Sequence, residues 1–181
     1  FMGNSITDGW INVSPDFFKM NPSYLDRGIS GQTTPQMLIR FRQDVIDLHP
    51  KVVIILAGIN DIAGNTGPST LDMIENNFAS MSQLAKANGI KVILCSVLPA
   101  YDIPWKAGIE PVQKIIDLNK WIKDFAHRNN FFYLDYYSAM VDERKGLPAK
   151  YSKDGVHPTA SGYAVMGPLA VKAILQVLKE K

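Results

Sequence analysis

The 181-residue sequence holds a single cysteine, Cys95. No disulfide can form within the chain, which excludes a small fold stapled by cross-links. Val92-Ile93-Leu94 before it and Ser96-Val97-Leu98 after it mark Cys95 as a packed core thiol on a buried strand rather than a reactive one. One such thiol leaves the redox compartment open. Charge of one sign is also lacking. Lys plus Arg is 19 and Asp plus Glu is 17, a formal net charge of +2. With no Lys/Arg cluster, nothing favours nucleic acid as a partner. No unbroken apolar run approaches the roughly 20 residues that span a bilayer, so no transmembrane segment is expected. Internal repeats, low-complexity tracts and dividing linkers are missing too. What remains is 46% hydrophobic and 20% charged residues, the make-up of a globular protein rather than a disordered one. The length suits one domain of about 100–200 residues, here 1–181. Phe1-Met2 runs straight into the first motif, so the natural chain is expected to begin upstream, where any signal peptide would lie.

Strand and helix patterns alternate. Phe1-Met2 reads as the tail of a strand, Tyr24 to Ile29 as a weak second one, and Lys51 to Ala57 and Ile90 to Leu98 as strong ones. Phe131 to Leu134 is a short fifth. The strong pair is apolar on both faces, as in a parallel sheet covered on both sides. Between them, Leu38, Phe41, Val45 and Leu48 share a helix face, with Thr34 as cap and Pro35 at the first position. Ser69 is the expected cap of a helix with Leu71, Ile74, Phe78, Met81 and Ala85 inward, closed by Asn88-Gly89. Val112, Ile115, Ile116, Ile122 and Phe125 mark the next helix. The last begins at Thr159 with Tyr163, Met166, Leu169, Ile174 and Leu178 inward, and Pro168 is expected to kink or divide it. The alternation implies an α/β fold, an open three-layer α/β/α sandwich. In such sheets ligands bind beyond the carboxyl ends of the strands.

Four segments fall there. Gly3-Asn4-Ser5-Ile6-Thr7-Asp8-Gly9 follows the first strand and can expose Ser5 above the sheet, its N–H at the start of a helix. Gly28-Ile29-Ser30-Gly31 follows the second, where a glycine can turn its N–H to the crevice. Gly58-Ile59-Asn60-Asp61 follows the third and offers a side-chain amide. Asp154-Gly155-Val156-His157-Pro158 precedes the last helix, with an Asp three residues before a His that it could hold. Each segment alone also fits an ordinary turn or helix cap. Together they supply a nucleophile, a base with its orienter, and three N–H donors, the parts of acyl transfer. The other histidines, His49 and His127, read as structural or solvated.

These blocks, in this order from Gly3 to Pro158, resemble the SGNH hydrolases, also called GDSL esterases/lipases. The family's Ser, Gly, Asn and His match Ser5, Gly31, Asn60 and His157, with Asp154 as third triad member. One position departs: Asn4 stands where the family motif has Asp, giving Gly-Asn-Ser. The resemblance implies a flavodoxin-like sandwich with a parallel sheet of about five strands. It implies ester hydrolysis by a Ser5–His157–Asp154 triad, an oxyanion hole from the N–H groups of Ser5 and Gly31 and the Asn60 amide, and neither metal nor cofactor.

The substrate is read from aromatics near the rim. Trp10 follows the first motif, and Tyr101 and Trp105 lie in the long Pro99 to Gly108 loop after the fourth strand. All three are candidate substrate contacts. The alternative is that Tyr101 and Trp105 pin the loop to the core. No run of exposed apolar residues resembles a lipase lid. A short acyl ester of a polar alcohol, such as an acetylated sugar, is the leading substrate. The family also includes lysophospholipases, thioesterases, arylesterases and enzymes resembling the platelet-activating-factor acetylhydrolase subunits. A secreted or periplasmic site is favoured by such a glycan substrate, with the cytoplasm also compatible. Oligomeric state has no signal in the sequence. From other functional classes, a non-catalytic ligand-binding domain would not need base, orienter and donors together. A flavin or nucleotide binder lacks the glycine-rich phosphate loop after the first strand.

Overall fold

The computed structural model describes residues 1–179. In chain order the elements are β1 (Met2–Gly3), α1 (Ser5–Asp8), α2 (Trp10–Val13), α3 (Asp16–Met20), β2 (Arg27–Gly28) and α4 (Thr34–Asp44). A 3₁₀ turn (Ile46–Leu48) leads to β3 (Val52–Leu56), α5 (Ile59–Ile62), α6 (Leu71–Ala87), β4 (Lys91–Cys95), α7 (Pro111–Asn129), β5 (Phe132–Leu134), α8 (Tyr136–Met140) and α9 (Ala160–Lys179). The five strands form one parallel sheet in the order β2-β1-β3-β4-β5. This is the flavodoxin-like α/β sandwich. The order reverses at β1/β3, so the crevice beyond the carboxyl ends of those two strands is where a ligand is expected.

The strands are shorter than their apolar runs for local reasons. In the second, an edge strand, the Arg27 and Ile29 N–H groups bond to the Phe1 and Gly3 carbonyls, and the outward Gly28 N–H is taken at 2.8 Å by the Asp26 carboxylate, which turns back on it. The fourth ends at Cys95 because the buried Asn119 amide on α7 takes both backbone groups of Val97, accepting its N–H at 2.7 Å and donating to its carbonyl at 2.9 Å.

Two caps sit one residue from their expected places. Thr33, not Thr34, caps α4, with extended backbone and a reciprocal capping box with Gln36. Thr70, not Ser69, caps α6 by accepting the Met73 N–H. The apolar stripes otherwise pack inward, including Phe41, Ile74, Phe78, Ile115, Ile122 and Met166. Leu48 and Leu178 are corrections: both are exposed. The 3₁₀ turn shifts the phase so that Ile46 points in instead of Leu48, and Val177 takes the inward place on the last turn of α9. Pro168 does not divide α9, which runs unbroken over 20 residues. Pro168 and Ala164 are both on the exposed side, so the carbonyl deprived of its partner can turn to water. By length and composition α9 could cross a membrane, a property that core helices share. Here its inner face is buried against β3, β4 and β5.

Candidate active site

The first three motifs begin where β1, β2 and β3 end, and register explains their convergence. Gly3 of β1 pairs with Gly28 of β2 and with Leu56 of β3. Ser5, Gly31 and Asn60 lie two to four residues beyond that common line. Ser5 opens α1, capped by the Asn4 side chain, whose Oδ1 accepts the Ile6 N–H at 3.0 Å. An Asp at this position would offer the same acceptor, so the departure at Asn4 preserves the cap. Its Nδ2 is buried without a protein partner.

Close approach of β2 to α1 demands glycine at 28. A Cβ there would lie 2.0 Å from the Asp8 backbone nitrogen. Gly31 has φ +79°, a left-handed conformation open to solvent that favours glycine and turns the peptide at the rim. Among the described residues, neither the Ser5 nor the Gly31 N–H meets an acceptor. Asn60 is 2% exposed and donates one amide hydrogen to the Gln32 carbonyl at 2.9 Å. The next residue, Asp61, binds the N-terminus of α4: its carboxylate accepts the Thr34 N–H at 3.0 Å and the Thr34 hydroxyl at 2.6 Å. Burial pushes the Asp61 carboxyl up, against these hydrogen bonds. The β3–α5 turn thus fixes the β2–α4 loop at two adjacent points.

His157 arrives from the far end of the chain. Its Nε2 lies 2.8 Å from Ser5 Oγ, and its Nδ1 lies 2.6 Å from Asp154 Oδ2. The other Asp154 oxygen accepts from the His157 N–H (2.8 Å), the Val156 N–H (2.9 Å) and the Ser152 hydroxyl (3.0 Å). Partial burial pushes the Asp154 carboxyl up. The hydrogen bonds from His157, Val156 and Ser152 outweigh it and hold the group well below the usual carboxylate range. An ionised Asp154 fixes the imidazole with Nδ1 as donor and Nε2 free to accept. Such a chain can draw the proton from Ser5 Oγ and turn a weak alcohol into a nucleophile.

Three residues that the sequence reading did not single out support this geometry. Ser152 is buried, and its one hydroxyl proton is shared between Asp154 Oδ1 and the His157 carbonyl at 2.8 Å. Its place two residues before Asp154 is a weak turn signal. Arg40 on α4 reaches the Gly3 carbonyl (3.0 Å), Gln32 Oε1 (2.5 Å) and Asp44 Oδ2 (2.5 Å), joining the first two motif loops. Asn65 donates to the Gly31 carbonyl at 3.3 Å and accepts from Trp105 Nε1 at 3.0 Å. Nothing local marks either of the last two.

Of the aromatics, Trp105 lies at the site. Its ring centroid is 5.7 Å from that of His157 and the residue is 42% exposed. Tyr101 is exposed and carries the Arg144 guanidinium on its ring at 5.2 Å. Neither ring is buried in the core, whereas Ile103 of the same loop is. Trp10 is a correction. It is 2% exposed and stacks between Phe17 and Tyr163 at 4.6 and 5.0 Å. The residue after Gly9 begins α2, whose inner side faces α9, so the indole points into the core. Among the described residues no cluster of His, Cys, Asp and Glu could hold a metal ion.

A GDSL-like lipase from Bacteroides thetaiotaomicron VPI-5482 superimposes with a TM-score of 0.95 at 53% identity, covering 97% of this chain and 86% of that one. The uncharacterized lipoprotein YqeF of Bacillus subtilis (strain 168) is 28% identical over 145 residues, 78% of this chain and 51% of that protein. The chain therefore spans about half the length of that relative. The acetylxylan esterase of Geobacillus stearothermophilus is 27% identical over 161 residues, 83% of this chain and 71% of the relative. The sequence model of the GDSL-like lipase/acylhydrolase family matches residues 1–165, so the chain belongs to that family of ester hydrolases.

Proposed function

We propose that the protein is a serine esterase that removes a short acyl group, acetyl, from a carbohydrate. The observation that carries this reading is the unbroken chain from Ser5 Oγ through His157 to Asp154, at 2.8 and 2.6 Å. In the proposed reaction, Ser5 Oγ attacks the ester carbonyl carbon while His157 Nε2 takes its proton. The carbonyl oxygen becomes an oxyanion, met by the N–H groups of Ser5 and Gly31 and by Asn60 Nδ2. Asp154 holds the imidazole and stabilises the imidazolium. The bond from carbonyl carbon to alkoxy oxygen then breaks, and the alcohol leaves with the proton from His157. Water, deprotonated by the same nitrogen, attacks the acyl-enzyme, releasing the acid and restoring Ser5. No step calls on a metal or cofactor.

The choice of a carbohydrate ester is supported by the acetylxylan esterase relative and by the polar groups and the one aromatic ring around the site. The test compares hydrolysis of p-nitrophenyl acetate and octanoate by the protein and by Ser5→Ala. Expected is turnover of acetate well above octanoate, abolished in a folded Ser5→Ala protein. Equal turnover by Ser5→Ala would remove Ser5 as nucleophile. Preference for octanoate would redirect the substrate to lipids.

A further inference from the structure

Beside the catalytic residues lies a groove of about 510 Å³. Ser30, Gln36, Asn65, Thr66, Trp105 and Lys106 line it, together with the Gly31 turn. They come from three separate loops or element ends: the β2–α4 connection and first turn of α4, the turn after α5, and the loop after β4. Apart from the Trp105 ring, these walls carry amides, hydroxyls and an ammonium group. An acyl chain laid there would strip water from those groups without replacing their hydrogen bonds.

The aromatic ring is held in a fixed relation to the reacting centre. Trp105 Nε1 donates to Asn65 Oδ1 at 3.0 Å, and Asn65 Nδ2 donates to the Gly31 carbonyl at 3.3 Å. A single amide therefore links the indole to Gly31, proposed above as an oxyanion donor. The other groups have hydrogen-bonding capacity to spare. Gln36 uses its Oε1 on Thr33 at 3.0 and 3.2 Å, and its NH₂ has no acceptor among the described residues. Ser30 donates its hydroxyl proton to Asp8, leaving its oxygen to accept.

Direction along the groove follows from proton transfer. The leaving alkoxy oxygen must receive a proton from His157 Nε2, and the Trp105 ring is the aromatic face beside that imidazole. The alcohol part of the ester thus departs along Trp105, into the groove that Gln36 and Thr66 also line. We propose that this groove is the binding subsite for the alcohol part of the substrate. The occupant is a pyranose ring, with an apolar face on Trp105 and its hydroxyls on Asn65, Gln36 and Thr66. Lys106 stands at the rim. This inference rests on the esterase reading above and adds where the sugar sits and which side chains select it.

The test uses a panel of acetylated methyl pyranosides and xylo-oligosaccharides, with ethyl acetate as an ester whose alcohol is too small to fill the groove. For each protein the readout is the ratio of kcat/KM on the sugar ester to kcat/KM on ethyl acetate. For the unaltered chain, at least one sugar ester is expected to exceed ethyl acetate by about tenfold or more. Trp105→Ala should lower that ratio by about tenfold, the scale of one lost aromatic contact. Trp105→Phe should retain most of it, and Gln36→Ala should lower it several-fold. The deacetylated sugar should inhibit ethyl acetate hydrolysis competitively, with a weaker Ki in Trp105→Ala. Using a ratio cancels any loss of folded or active protein.

The outcomes separate the two claims. Preferred sugar esters with a ratio and Ki unmoved by Trp105→Ala and Gln36→Ala would overturn the subsite alone. Turnover of ethyl acetate with no preferred sugar ester would overturn the carbohydrate reading and the subsite with it. No turnover of any ester would overturn the esterase reading itself.

Discussion

At the scale of single residues, the proposed chemistry depends on atoms whose surroundings leave them one role. Asn60 is buried with one amide hydrogen on the Gln32 carbonyl, so its second is the one available to an oxyanion. Asn60→Ala is expected to lower kcat by roughly 10²–10³-fold with a cooperative unfolding transition retained. Steady-state kinetics beside a urea titration checks this, and a loss of activity explained by unfolding alone would count against the role. Asp154 fixes the imidazole through Oδ2 and its own loop through Oδ1. Asp154→Asn keeps the shape and removes the charge. It is expected to lower kcat by roughly 10⁴-fold, with KM little changed. Asn4, the departure from the family motif, keeps the cap of α1 through Oδ1. Its replacement by Ala should destabilise the fold by about 1 kcal/mol, as other lost N-caps do.

At the scale of elements, short secondary structures carry the site and longer helices brace them. β1 supplies two residues to the sheet, and α1 after it is four residues long. Neither could hold Ser5 in place alone. Tyr163 on α9 donates its hydroxyl to the Ile6 carbonyl at 2.8 Å, and Trp10 fills the space between α9 and α3. The same helix follows the loop that bears His157, so one contact ties Ser5 and His157 to a shared support. On the opposite side, Arg40 spans from the Gly3 carbonyl to Gln32. Lysine cannot reproduce this fork, because its ammonium is a point donor. Arg40→Lys is expected to lower kcat more than it raises KM, since it loosens the Ser5 turn and the Gly31 loop relative to each other. A merely structural role would lower the melting temperature and leave the kinetics of the folded fraction unchanged. Gly28→Ala places a Cβ against the α1 backbone, where no flexible side chain can give way. Overpacking of this kind costs about 1–3 kcal/mol, to be read from chemical denaturation.

At the scale of the whole molecule, two lowered carboxylates set the behaviour in acid. Asp44 is pushed up by burial, but hydrogen bonds and charge from Arg27 and Arg40 more than offset this and lower it. Asp154 is lowered by its own hydrogen bonds. A carboxylate with a lowered folded value adds stability at pH above its unfolded value, about 3.9. That contribution is lost as pH falls through the folded value. Stability is therefore expected to drop below about pH 4, with a shallower drop in Asp44→Asn, as measured by urea midpoints between pH 2 and 6.

Much of this was legible in the chain itself. Strand–helix alternation with doubly apolar strands dictates a parallel sheet, because only helices on both faces can cover such strands. Ser5, Gly31, Asn60, Asp154 and His157 each stand in a turn with its own local signal, and the turns of the first three follow parallel strands whose ends gather on one rim. Other features depend on where distant segments meet. The indole of Trp10 turned inward because α9, some 150 residues away, supplies Tyr163 as its neighbour. Trp105 reached the site because Asn65, in a loop 40 residues earlier, holds its ring nitrogen. Arg40 acquired its role from the Gly3 carbonyl, 37 residues away in the chain. Periodicity, caps and turn residues are short-range and follow from the backbone of a few neighbours. Which aromatic faces the crevice and which the core is decided by long-range packing, and only the assembled sheet order brings those partners together.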